Sequence, residues 1–363
     1  MQGTLFKYAS RPSAVAFKTG NHTRHVALVG GLTDGFMFAP VAAPLATALD
    51  AAAWSLVQVQ LSSSYQGFGI SSLDRDAAEM RELVACLGRD HSSSHLVLIG
   101  HSTGCQDVAR FLQRGFHLDP AASDDSPAKG RHTGDAAAGE QKKSGGTEGG
   151  GGTAAAVAVQ GALAAAGTME EAVGVLRAGG DESCAGAGSK RKASWPTVVG
   201  SILQAPVSER EWLTGYLPPN DIAALVQAAV AMVDDGRGEE IVCRMPAHIL
   251  EDRTPMCAAR LVALACKGGD DDMFSSDLTD EELKAILAPV GAAAPCLVLV
   301  SGADETMAAS VDKRAVAERL ATAVGANASF VVTPDAPHNL EGLESQAVKV
   351  MVEFVVSVSP PLS

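Results

Sequence analysis

No apolar run in this sequence approaches the roughly 18–20 residues that a membrane-spanning helix requires, so no span is expected. Positive charge is scarce as well: 28 Lys and Arg face 42 Asp and Glu, a formal net charge of −14. The longest basic cluster is "KRK" at 190–192. An acidic surface repels phosphate backbones, which argues against a nucleic-acid partner, and the excess acid reads as solvated faces. There is no Cys-x-x-Cys and no Cys/His pair at ligand spacing. The cysteines at 86, 105, 184, 243, 257, 266 and 296 are scattered and odd in number. That pattern supports neither a disulfide scaffold nor a zinc site, and it suits reduced thiols in the cytoplasm. A secretory signal is also missing, since the amino terminus has no apolar core followed by a cleavage site. Residues 1–33 hold no Asp or Glu and include Lys7, Arg11, Lys18 and Arg24, the bias of a transit peptide, so organellar targeting stays open. The periodicity of "GTLFKYA" and "SAVAFKTG" instead predicts two strands feeding "HVALVGGL".

What is present is ample for a core: 47% of the residues are hydrophobic and 19% charged. Short apolar runs, "HVALVGG", "WSLVQVQL", "HLVLIG", "TVVGSILQAP", "PCLVLVSG" and "ASFVVTP", alternate with helical stretches. The runs are apolar on both faces, as central parallel strands covered by helices are. The helices expected between them are "PVAAPLATALDA", "SSLDRDAAEMRELVACLG", "QDVARFLQRG", "KRAVAERLATAVG" and "ESQAVKVMVEFVVSV". The last carries Val348, Met351, Val352 and Val355 on one face. The pattern predicts one α/β domain over 1–363, built on a doubly wound, mostly parallel sheet.

Two segments interrupt the alternation. Residues 119–193 are rich in Gly, Ala, Ser and charge, with "KKSGGTEGGGGTAAA" at the centre, and are expected to be a disordered insertion. A short helix is conceivable within it at "TMEEAVGVLRAGG". Residues 208–290 read as mostly helical and rejoin the sheet afterwards, the pattern of a lid over its carboxyl edge.

Within "LVLIGHSTGCQDVARFL", Gly100-His101-Ser102-Thr103-Gly104 fits Gly-x-Ser-x-Gly. The motif alone is weak. Its setting raises it, because a strand precedes it and an amphipathic helix follows. A serine at so sharp a turn exposes its oxygen, and the flanking glycines let the backbone close up. A hydroxyl is a poor nucleophile unless a base takes its proton and an acid orients the base. Both follow in order, each after a core strand: Asp304 in "PCLVLVSGADE" and His338 in "ASFVVTPDAPHNLEG". The oxyanion donors expected are the backbone N–H groups of Thr103 and, from "LVGGLTDGF", Leu32, with Gly31 the neighbouring alternative.

On "GHSTGCQD", "ILQAPVSERE" and "KGGDDDMFSSDL", the chain resembles the α/β-hydrolase superfamily and, within it, an uncharacterised family of fungi and plants. The resemblance spans about 22–357 apart from the insertion. It implies esterase-, lipase- or peptidase-like chemistry through Ser102, Asp304 and His338, and among fungal relatives ester hydrolysis, including siderophore-type esters. Two features depart from the family pattern. Gly30-Gly31 stands where many relatives carry His-Gly, and the long insertion is foreign to it.

Rival assignments are weaker. Glu305 adjoins Asp304 but has the longer side chain, Asp335 suits a turn, and His101 and His248 suit packing or hydrogen bonding. In "GGDDDMF" adjacent carboxylates diverge, so no metal is expected there and no cofactor elsewhere. Trp212, Tyr216, Met256, Met273 and Phe274 suit either an acyl pocket or lid packing. The expected function is a serine hydrolase acting on a small-molecule, ester-like substrate. An idle binding protein of the same fold and an acyltransferase are the alternatives, and protein partners are left open.

Overall fold

The structure is a computed structural model that describes residues 1–120, 194–246 and 253–361. The low-complexity stretch expected from 119 lies outside them from residue 121 to 193, as does His248. Among the described residues, one eight-stranded sheet organises the fold. Its strands are β1 (Thr4–Lys7), β2 (Val15–Lys18), β3 (Arg24–Val29), β4 (Ser55–Gln60), β5 (His95–His101), β6 (Thr197–Gln204), β9 (Cys296–Ser301) and β10 (Ala328–Thr333). The order across the sheet is β1-β2-β4-β3-β5-β6-β9-β10. Only the β1–β2 and β2–β4 pairings are antiparallel. The two amino-terminal segments with transit-peptide composition are therefore the first and second strands at one side of this sheet.

Alternate residues of each central strand face opposite layers, as the pleat requires. Leu96 and Leu98 of β5 join one apolar cluster, Val97 and Ile99 the other. The first face is covered by α2 (Leu73–Asp90), α3 (Gly104–Gln113), α7 (Asp280–Ala293) and α8 (Lys313–Val324). The second is covered by α1 (Ala42–Ala51) and α9 (Glu344–Ser357). Helices on both faces explain why the strands read as apolar throughout. Their starts are written locally: Ser72 and Asp312 cap α2 and α8, and Thr279 with Glu282 forms a capping box on α7.

Between β6 and β9 the chain leaves the sheet for α4 (Glu209–Tyr216), α5 (Pro219–Asp234), the antiparallel pair β7 (Ile241–Arg244) and β8 (Pro255–Cys257), and α6 (Ala258–Ala265). Leu213, Ala229, Met256, Leu261 and Leu264 give this excursion its own apolar cluster, into which Phe68 and Leu32 of the main body pack. The expected end of the excursion at 290 falls near the close of α7, whose Leu283, Leu287 and Val290 belong to the main core. The small strand pair was not expected from the sequence.

A buried ionic layer fastens the excursion to the body. Arg260 donates to Asp271 at 2.6 Å and to the Phe68 carbonyl at 2.9 Å, with neither side chain reaching solvent. Asp76, Asp107 and Glu209 are buried around the same guanidinium. One cation cannot compensate four desolvated carboxylates, so some keep their protons. Burial pushes Glu209 up to about 8, with the Asp271 charge adding to the effect, and burial pushes Asp76 up to about 7. The unfolded chain releases these protons near pH 4, while the folded protein holds them to pH 7–8. Folding is thus proton-linked, and this layer loses stability as pH rises through that window. Thermal melts between pH 5.5 and 8.5 should show a falling Tm, with a shallower fall in Glu209→Gln. A Tm that rises across the range, or an unchanged slope in the variant, would refute this account of the layer.

Candidate active site

β5 ends at His101, and α3 begins at Gly104. Strand passes to helix across only two residues, and Ser102 sits at φ +53°, the left-handed region that a residue with a Cβ rarely adopts. The turn also needs its glycines. A Cβ on Gly100 would lie 2.3 Å from the Gly104 carbonyl oxygen, and one on Gly104 would lie 2.5 Å from that of Val29. The Ser102 N–H donates to the Gln204 carbonyl at 3.0 Å, and the Ser102 carbonyl accepts from Cys105 at 2.9 Å. The strain at Ser102 is held by the neighbouring strand and the first turn of α3.

Asp304 lies just past β9 and His338 past β10, neighbouring parallel strands whose carboxyl ends open on the same rim as β5. His338 Nδ1 stands 2.9 Å from Asp304 Oδ2. The other carboxylate oxygen accepts from the Thr306 hydroxyl at 2.6 Å and the Thr306 N–H at 2.9 Å. Burial alone would raise the Asp304 pKa, but the bond and charge of His338 and the two Thr306 bonds together hold it below the ordinary carboxylate range. Glu305 does not face the ring. Its carboxylate accepts the His338 backbone N–H at 2.9 Å and so helps to shape the histidine loop.

Gln204, at the end of β6, ties the serine and histidine loops together. Its carbonyl holds Ser102, its amide nitrogen donates to the His338 carbonyl at 3.2 Å, and its amide oxygen takes the His101 ring. The His101 ring is buried between Phe38 and His338, 5.3 Å and 5.0 Å away, and burial lowers its pKa to about 4. His101 is a neutral packing group, as expected. The Ser102 hydroxyl and the His338 imidazole form no hydrogen bond in this structure.

The loop after β3 abuts the serine, since a Cβ on Gly31 would lie 2.7 Å from the Ser102 Cβ. The Gly31 N–H is engaged by Asp34 at 2.7 Å. Among the described residues, the N–H groups of Leu32 and Thr103 carry no hydrogen bond. Thr103 is anchored through its side chain instead, donating to Glu209 at 2.7 Å. A cleft of about 820 Å³ opens between α4 and the loop after β9, lined by Trp212, Tyr216, Asp304 and Thr306. Phe274 lines an adjoining space of about 420 Å³ that also reaches Thr306. Met256 packs inside the excursion, and Met273 packs in the main core.

The three adjacent carboxylates of "GGDDDMF" serve three arginines. Asp270 pairs with Arg110 at 3.1 Å, Asp271 with Arg260 at 2.6 Å and Asp272 with Arg210 at 3.4 Å. Among the described residues, no cluster of three or more His, Cys, Asp or Glu side chains could hold a metal ion. No described helix is long and apolar enough to cross a membrane.

Sequence reading missed Asp34, Gln204, Thr306 and Glu209. Two of these had a local signal, since an Asx side chain commonly binds backbone a few residues away, as Asp34 does with Gly31 and Asp304 with Thr306. Gln204 and Glu209 act across about a hundred residues of chain, with no local signal at all.

Strand order, helices on both faces and a strained serine turn at the carboxyl edge define an α/β-hydrolase fold. The chain belongs to the family described as "Protein of unknown function (DUF1749)", whose model matches residues 1–359. A UPF0613 protein of Schizosaccharomyces pombe is 27% identical over 98% of this chain and 96% of its own length. The fusarinine C esterase sidJ of Aspergillus fumigatus is 27% identical over 86% of this chain and 81% of its own. Among solved structures, the siderophore hydrolase EstB of Aspergillus fumigatus covers 99% of this chain and 98% of its own, with a TM-score of 0.64 at 22% identity, and shares the fold.

The glycine requirement is directly testable. Gly104→Ala should cost about 3 kcal/mol, the upper part of the range for overpacking, because the obstacles are backbone atoms. Gly215→Ala, where a Cβ meets nothing within 4 Å, should raise stability by up to about 1 kcal/mol through helix propensity. Thermal melts of both variants check the pair, and an unaltered Tm in Gly104→Ala would count against so tight a turn.

Proposed function

We propose that this protein is a serine hydrolase that cleaves ester-like bonds of small molecules through Ser102, His338 and Asp304. The observation that carries the reading is the 2.9 Å His338–Asp304 pair, tied through Gln204 to the strained turn bearing Ser102. Esterases named among relatives that align over most of the chain support the same chemistry.

With Nδ1 committed to Asp304, Nε2 is the nitrogen left to take the Ser102 proton as the oxygen attacks the carbonyl. Asp304, kept ionised by Thr306 and His338, sets that tautomer and stabilises the imidazolium. A nucleophile and its base often close to full hydrogen-bonding distance only in the complex with substrate, so the gap between Ser102 and His338 is compatible with these roles. Negative charge then grows on the carbonyl oxygen, for which the unspent N–H groups of Thr103 and Leu32 are the donors, aided by the amino terminus of α3. His338 returns the proton to the leaving alcohol, and water releases the acyl group by the same route. The excursion from α4 to α6 acts as the lid, and the cleft beside Trp212 and Tyr216 receives the substrate. Siderophore-type esters are the first substrates to assay, given the fusarinine C esterase relative.

A fluorophosphonate probe should label the wild type and leave Ser102→Ala unlabelled. The same substitution should lower turnover of a short p-nitrophenyl ester by about 10³-fold or more, roughly 4 kcal/mol of barrier. Equal labelling of the two proteins would refute the nucleophile. Product analysis with a competing alcohol separates hydrolysis from acyl transfer.

A further inference from the structure

The loop after β3 holds an acid whose geometry the triad does not use. Asp34 Oδ2 accepts the Gly31 N–H at 2.7 Å, and the Asp34 N–H returns to the Gly31 carbonyl at 3.2 Å, closing a turn at both ends. Inside that turn Thr33 sits at φ +66°, a left-handed conformation that a β-branched residue adopts only when its surroundings impose it. The Asp34 carbonyl also accepts the Tyr65 N–H at 3.2 Å, which anchors the far side. The near side touches Ser102, whose Oγ would lie 3.1 Å from a Cβ on Gly31.

Two successive N–H groups, those of Gly31 and Leu32, therefore belong to the segment that lies against Ser102. Asp34 distinguishes them. It consumes the first and leaves the second without a partner among the described residues. Burial raises the Asp34 carboxyl to about 6, against the pull of the Gly31 bond and of His338. A half-buried acid beside a strained turn carries a desolvation cost that its bond to the turn offsets. Taking the serine reading as its basis, we propose that Asp34 is a positioning residue. By holding the Gly31 N–H it fixes the turn that presents the Leu32 N–H to the tetrahedral oxygen.

The test compares Asp34→Ala with Asp34→Asn, whose amide oxygen can accept the same N–H. The measurements are kcat and KM on p-nitrophenyl acetate and affinity for an aryl boronic acid, which forms a tetrahedral adduct on the serine. Asp34→Ala should lower kcat by about 10²-fold, the effect of losing one oxyanion donor, and weaken the boronic acid in parallel. KM should stay within about 2-fold, because the donor acts on the transition state rather than on bound substrate. Asp34→Asn should restore kcat to within about 5-fold of wild type. Wild-type kcat in Asp34→Ala, or a loss in Asp34→Asn as deep as in Asp34→Ala, overturns the proposal. If Asp34→Ala does not fold, Asp34→Asn decides: near-wild-type kcat supports the proposal and a roughly 10²-fold loss overturns it. Ser102→Ala, run alongside, separates the two readings. Full turnover in Ser102→Ala removes the nucleophile itself, whereas an inactive Ser102→Ala beside an unimpaired Asp34→Ala removes only the role of Asp34.

Discussion

At the carboxyl edge of β5 the chain reverses within two residues, and it does so because three backbone segments meet without side chains between them. Gly100 lies against Gly104, and Gly104 lies against the end of β3. That contact forces Ser102 into the left-handed region, aims α3 into the site and brings the loop after β3 against the serine. Any side chain inserted there would push the serine turn away from the two strands beside it.

Around this turn the polar groups are arranged in tiers. Gln204 links the serine backbone to the histidine loop and fixes the ring of His101. Thr306 occupies one oxygen of Asp304 and leaves the other for His338. The Asp34 bond to Gly31 and the Glu209 bond to Thr103 hold the two segments that carry the candidate oxyanion donors. Gln204 meets His101 as its partner across the β5–β6 ladder, whereas the other three groups are not paired through strands or helices. Each crosses a loop or joins separate elements.

The excursion after β6 is attached by both apolar and ionic contacts. Its apolar cluster takes in Leu32 and Phe68 of the main body, so its packing reaches the loop that adjoins Ser102. Its ionic layer gathers Arg260, Asp271 and Glu209 against Asp76 and Asp107. Apolar replacement of such a layer is often neutral or stabilising, since desolvated carboxylates are costly to pair with one guanidinium. The surplus acid instead makes the attachment responsive to protons.

Much of the fold was legible along the chain because its strands and helices are local patterns. Apolar runs flanked by turn residues marked six strands of the main sheet and periodicity marked the first two, while the stripe in Val348, Met351 and Val355 marked α9. The candidate triad was legible for a related reason: a parallel sheet places the ends of its strands on one rim, so Ser102, Asp304 and His338 could be picked by position alone. Other features depend on contacts between distant segments. Three adjacent aspartates carry no sign of which arginine each will meet, and β7 and β8 are too short to show a period. That the Gly31 N–H is bonded was likewise invisible along the chain, because which N–H a turn engages depends on how the turn closes in space. Residue order along the chain was enough to mark the sheet and the candidate residues at its edge, the first by periodicity and the second by a turn motif and their place after core strands. Only the folded packing decided which polar group holds which, since hydrogen bonds depend on distance and direction rather than on separation in sequence.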